Sequence, residues 1–118
     1  MYPLSRLAGV PNEYRVKYLV RDGDTPDECL RVSEEVRRLT VFRRLNILQA
    51  VPAMRETFDF VFCRNVMIYF DEATKERLLR NFHRCLVPGG VLVIGASESL
   101  AGIPHPFRPA APSVFRKG

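Results

Sequence analysis

From residue 58 onward, apolar and polar positions fall into blocks that fit strand, helix and strand in turn. FDFVFCRNV, Phe58 to Val66, opens with Phe60, Val61 and Phe62 in near-continuous apolar order, which predicts a strand covered on both faces. Asp71 stands where a helix N-cap belongs, and Leu78, Leu79, Phe82, Cys85 and Leu86 fall on one helical face. VPGG, ending at Gly89 and Gly90, stops that helix, and VLVIGAS predicts a second buried strand. A strand, a helix of roughly four turns and another strand make a βαβ unit with parallel strands, so the fold class is α/β. In the tail, Phe107 and Ser113 to Arg116, separated by Pro109 and Pro112, predict two short terminal strands or an edge strand.

Before residue 45 the chain is charged and irregular. Val16 to Arg21, Leu30 to Val32 and Val36 to Phe42 are weaker strand candidates, separated by the turn signals DGDTPDE and SEE. That is the pattern of a small antiparallel meander, too small to be stable alone and expected to dock on the main sheet. Thr40 to Leu45 is a candidate to leave the meander and enter the α/β sheet, ending at Asn46.

Composition narrows the class without naming it. The 118 residues, 47% of them hydrophobic, suffice for one modest domain. No run approaches the ~20 apolar residues of a membrane span, and MYPLSRLAGV lacks a signal-peptide pattern, so a cytoplasmic protein without membrane insertion is expected. Cys29, Cys63 and Cys85 are isolated, with only His83 and His105 as histidine partners, and reduced structural thiols rather than a metal site are expected. The formal charge of +5 is spread evenly, with 10 basic and 8 acidic groups in residues 1–57 and 8 and 5 in the remainder. No basic run emerges, so nucleic acid is not the expected partner, and an acidic protein partner is compatible.

The most informative stretch is CRNVMIYFD, Cys63 to Asp71. It places Arg64, Asn65 and Tyr69 just beyond the carboxyl end of a buried strand, the rim at which open α/β sheets bind ligands. A bland alternative stands beside that one, with Arg64 paired to a carboxylate, Asn65 satisfying loop backbone and Tyr69 packing with a free hydroxyl. FDFVFCRNVMIYFD, the helix after it, LVPGGVLVIGASESL and the closing VFRK together resemble the CheR-type chemotaxis protein-glutamate O-methyltransferases from their fourth strand to their C-terminus. YPLSRLAGVP, the meander and VFRRLNIL are similar to the region before that strand, so the resemblance covers essentially the whole chain.

The resemblance implies a partial Rossmann-like sheet of a methyltransferase that uses S-adenosyl-L-methionine (SAM), about residues 43–118, with a small antiparallel β-subdomain inserted at about 11–42. It implies that Asn46 and the Ile47 backbone lie near the adenosine part of SAM, that Arg64 and Asn65 line the cofactor pocket, and that Tyr69 is the catalytic position, near the methyl group and the substrate carboxylate. The implied partner is the cytoplasmic domain of methyl-accepting chemotaxis receptors. In some members the β-subdomain also docks the receptor's C-terminal tail by adding a strand to its edge. Arg31, Arg37 and Arg38 are then candidate contacts, with solvated edge charges as the alternative.

The sequence departs from the family pattern in two ways. GASES has Ala96 where many members carry a histidine, leaving Ser97 and Glu98. No G-x-G-x-x-G-like turn and no acid closing a following strand to hold the ribose is present, and both are expected to lie before Met1. Three functions are weighed: the C-terminal portion of a receptor glutamate methyltransferase that binds SAM poorly alone, a non-catalytic receptor-binding module, and a generic α/β nucleotide-binding protein, which the lack of a phosphate loop disfavours.

Overall fold

A computed structural model describes residues 1–21, 29–49 and 52–118 and divides the chain into two compact units, Met1–Arg44 and Leu45–Gly118. The DGDTPDE turn expected between the first strands lies outside the described residues.

In the first unit, β1 (Tyr2–Pro3) leads through a 3-10 turn at Leu4–Leu7 to α1 (Asn12–Tyr18), β2 (Leu19–Val20), β3 (Cys29–Val32) and α2 (Glu34–Arg37). The three strands form an antiparallel sheet in the order β1-β3-β2, with Tyr2 opposite Leu30 and Leu19 opposite Val32. An antiparallel sheet was expected, but two of its strands differ. Val16 belongs to α1, because Pro11, held at φ −55° by its ring, sets the chain for a helical turn and Glu13 suits that helix's positive end. Val36 belongs to α2, where Ser33 precedes Glu34 and Glu35 in the first turn and Arg37 closes the last. The third strand is Tyr2–Pro3, and residues 40–46 carry no regular structure, so Thr40 to Leu45 does not extend into a sheet. Arg15 fastens the turn before α1 by donating to the Leu7 and Val10 carbonyls.

The second unit contains β4 (Phe58–Cys63), a 3-10 turn at Met67–Tyr69, α3 (Glu72–Cys85), β5 (Leu86–Ile94), β6 (Phe107–Ala111) and β7 (Val114–Lys117). Its sheet runs β4-β5-β7-β6, with β4 and β5 parallel and the other pairs antiparallel. The strand-helix-strand unit is thus present, and the tail forms a hairpin whose proline-bearing β6 lies at the edge, where a missing N–H costs no ladder bond. The Asp71 carboxylate caps α3 by accepting from the Thr74 N–H at 2.8 Å.

Leu78 and Leu79 of α3 are fully buried and join Cys63, Met67, Leu86, Leu92 and Ile94 in the core. Helix and strand meet more tightly than the VPGG signal implied. α3 ends at Cys85, Leu86 already pairs with Phe58, and the next pair is Phe60 with Val91. Five β5 residues therefore oppose two of β4, and the excess bulges out where Gly89 takes φ +79°, a left-handed conformation that costs glycine little.

β4 departs from the expectation of burial on both faces. Cys63 is buried and Val61 half-buried, but Phe58, Phe60 and Phe62 point to the opposite face and remain 39%, 59% and 69% exposed. Strand alternation places the three rings together on that face.

Candidate functional site at the carboxyl rim of the parallel strands

Two parallel strands end side by side, Cys63 of β4 opposite Ile94 of β5. Beyond them the chain must turn on both sides, and two residues share the work. Asn65 takes φ +62°, a left-handed conformation that asparagine tolerates better than most residues. Glu98, in the turn after β5, fixes it: its Oε1 accepts from the Asn65 backbone N–H at 2.7 Å and from the Gly95 N–H at 2.8 Å. One carboxylate oxygen thereby clamps the two strand ends with charge-assisted hydrogen bonds.

Gly95 is the small residue this close approach requires. A Cβ there would fall 2.6 Å from Glu98 Oε1 and 2.7 Å from Asn65 Oδ1. The other carboxylate oxygen, Oε2, is buried with no hydrogen-bond partner among the described residues, so the rim holds an acceptor that lacks a donor. Burial, helped by the Glu98 charge, raises the Cys63 thiol above its ordinary range, which makes it a neutral core group and a poor nucleophile.

The residues singled out from sequence divide into two groups. Arg64 and Asn65 follow β4 directly and are exposed, and Tyr69, 80% exposed, closes the adjoining 3-10 turn. Asn46 and Ile47 lie in a separate turn fastened to α3, where Asn81 Nδ2 donates to the Ile47 carbonyl at 3.1 Å. Asn46 Oδ1 accepts from the Leu48 N–H at 3.1 Å in an Asx turn, and the residue is exposed. No hydrogen bond among the described residues joins this turn to the Arg64–Tyr69 corner. Glu98 itself is the residue that sequence reasoning left without a role. Its signal was an acid three residues past a glycine that ends a buried strand.

Residues 1–115 match the family described as CheR methyltransferase, SAM binding domain. The chain is 36% identical over 115 residues to chemotaxis protein methyltransferase 2 of Pseudomonas aeruginosa, covering 98% of this chain and 41% of that relative. It is 40% identical over 99 residues to the chemotaxis protein methyltransferase of Klebsiella aerogenes (84% and 34%), and 33% identical over 115 residues to that of Salmonella typhimurium (98% and 40%). It thus spans about two fifths of the length of these relatives, and SAM is the cofactor of the domain it matches. Its βαβ core with a polar carboxyl rim, and the match along nearly its whole length, make this chain a member of the CheR methyltransferase family, within the SAM-binding domain.

Proposed function

We propose that the chain forms the strand-rim half of the active site in a SAM-dependent methyltransferase that esterifies glutamate side chains of chemotaxis receptors in the cytoplasm. The observation that carries this reading is the corner Arg64–Asn65–Tyr69, set at the carboxyl end of β4 and clamped to β5 by Glu98. Its chemistry fits one side of the cofactor. The exposed guanidinium and amide of Arg64 and Asn65 suit an anionic or hydroxylated group, and the orphaned Glu98 oxygen suits a donor. In this reading the exposed Asn46 and the Ile47 backbone lie toward the adenosine part.

When bound, SAM supplies a methyl group on a sulfonium centre. A glutamate carboxylate is already ionised near pH 7, so the protein needs no general base to activate it. Its task is to hold the nucleophilic oxygen in line and remove water from it, effects worth several kcal/mol, about what one or two well-placed donors and a closed site supply. The Tyr69 hydroxyl is the donor for the carboxylate oxygen, and Arg64 faces the cofactor.

The test is a chimera in which the N-terminal part of the Pseudomonas relative precedes residues 1–118. Tyr69→Phe is expected to lower turnover more than about tenfold, roughly 1.4 kcal/mol, with SAM affinity nearly unchanged. Full turnover in Tyr69→Phe would remove the tyrosine from the reaction. A second reading, a receptor-docking module without catalysis, draws on the small antiparallel sheet of the first unit, whose short β1 and β2 edges leave strand-addition sites, and on the exposed Arg37 and Arg38. A chimera that binds receptor tail peptide but transfers no methyl group would favour it.

A further inference from the structure

α3 carries a stripe of positive charge that neither the core nor the rim uses. Arg77, Arg80 and Arg84 stand at i, i+3 and i+7, positions that share one side of a helix, and all three are exposed. At 1.5 Å per residue the stripe is about 10 Å long. Asn81 lies within it and ties the Ile47–Gln49 turn to the helix, making a wall. Helix and wall enclose a groove of about 540 Å³ lined by the three arginines, Asn81, Leu48 and Gln49. A second hollow of about 440 Å³ shares Arg80 and Arg84 and adds Arg55 and Lys117, the latter 4.0 Å from the Glu56 carboxylate that also lines it.

Intramolecular roles account for little of this charge. Arg80 lies 3.8 Å from Glu76 in an exposed pair, which stabilises weakly, and Arg77 and Arg84 have no carboxylate partner among the described residues. Compensation of the helix dipole accounts for Arg84 in the last turn but not for Arg77 and Arg80, which precede it. Three exposed guanidinium groups lining one groove repel one another, an arrangement that gains from an anionic occupant.

We propose that this groove is an exosite for an acidic helical surface of a protein partner, one carrying carboxylates at i, i+3 or i+4, and i+7 to match the arginine spacing. Protein rather than single-stranded nucleic acid is favoured by the groove's lining, since among the described residues no aromatic ring is present there on which a base would stack. Guanidinium forks pair with carboxylates in bidentate geometry, which a spaced row of glutamates or aspartates offers. The location fits an anchor away from the reacting group. The Glu56 N–H donates to the Arg84 carbonyl at 2.9 Å, so the stripe ends beside the start of β4, while the candidate rim lies at its other end. Arg84 is thirteen residues from Asp71, about 20 Å along the helix. The proposal uses the reading of a carboxylate-bearing protein substrate only to rank partners, and it stands or falls on binding alone.

The experiment measures fluorescence anisotropy of two labelled helical peptides of equal length and charge, one with its glutamates in a single stripe and one with them scattered around the helix. Both are titrated with the 118-residue chain, without SAM, so the result is independent of any methyl transfer. The striped peptide is expected to bind about tenfold more tightly, a difference of about 1.4 kcal/mol. Arg77→Ala/Arg80→Ala/Arg84→Ala is expected to abolish the preference, and Arg37→Ala/Arg38→Ala in the first unit to preserve it. Circular dichroism reports whether the triple variant folds, and Arg77→Glu alone, expected to weaken the striped peptide severalfold, serves if it does not. Equal binding of the two peptides, or a preference that survives the arginine substitutions, overturns the proposal. So does a duplex oligonucleotide that binds the same arginines more tightly than the striped peptide.

Discussion

At the scale of single residues, Glu98 governs the candidate site more than the residues that first draw notice. Two backbone N–H groups from different strand ends converge on its Oε1, so Glu98→Ala leaves both without their acceptor. An unpaired buried donor costs about 1–3 kcal/mol, and the low end applies here because Asn65 is exposed and water reaches it. Denaturant unfolding is expected to show a loss near 1 kcal/mol, with the Asn65 amide proton exchanging faster by NMR. Glu98→Gln, which keeps an oxygen acceptor, is expected to restore most of both. If Glu98→Ala leaves that amide protected, the clamp is not what holds the corner. Gly95→Ala is expected to disturb the same corner from the other side, at about 1–3 kcal/mol, since its methyl would meet Glu98 Oε1 and Asn65 Oδ1 inside contact distance.

The elements show where sequence patterning is legible and where it stops. α3 was readable at its start and along its length, because Asp71 supplies a local cap and Leu78, Leu79 and Phe82 recur at helical spacing, but not at its end, since Leu86 and the VPGG turn belong to β5. Leu78→Ala is accordingly expected to destabilise the second unit by about 2–5 kcal/mol in chemical denaturation, a cost reserved for fully buried side chains. β4 was half legible. Its apolar run marked a strand, but periodicity alone does not report what covers each face, and Phe58, Phe60 and Phe62 are on the uncovered one. In the first unit, Val16 and Val36 were β-branched signals outweighed by local helix starts at Pro11 and Ser33. At the candidate rim, Arg64, Asn65 and Tyr69 were singled out from their place after β4, where the structure sets them, while Glu98 was passed over because its partners are backbone groups, which leave no mark in sequence. α3 also sets a pH dependence. Burial, with Lys117 nearby, holds His83 below the ordinary imidazole range, so the folded state prefers it neutral. The unfolded chain then binds more protons, and stability is full above about pH 6.5 and lost as pH falls below it. Thermal melts from pH 8 to 5 are expected to slope downward in wild type and to flatten in His83→Gln. An equal slope in both would remove His83 as its source; Asp71, whose cap to Thr74 lowers its carboxyl, stays ionised across this window and loses its contribution only at pH values below the ordinary carboxylate range.

At the scale of the whole molecule, the second unit combines the candidate polar rim with an apolar strand face left open to solvent. β4 pairs only with β5 among the described residues, so a strand edge and three phenylalanines are exposed together, the combination that drives association. Light scattering is expected to show concentration-dependent oligomers for the isolated 118 residues, reduced by Phe60→Lys/Phe62→Lys, and a clean monomer with a cooperative melt would contradict this. The central claim is that this rim faces SAM. Its most direct test is calorimetric titration of SAM into the chimera with the Pseudomonas N-terminal part, in wild-type and Arg64→Ala forms. The account expects saturable binding that Arg64→Ala weakens by at least about tenfold, with the melting temperature unchanged because the exposed Arg64 side chain is not part of the core. Equal affinity in the two forms would contradict it and return Arg64 to the protein surface.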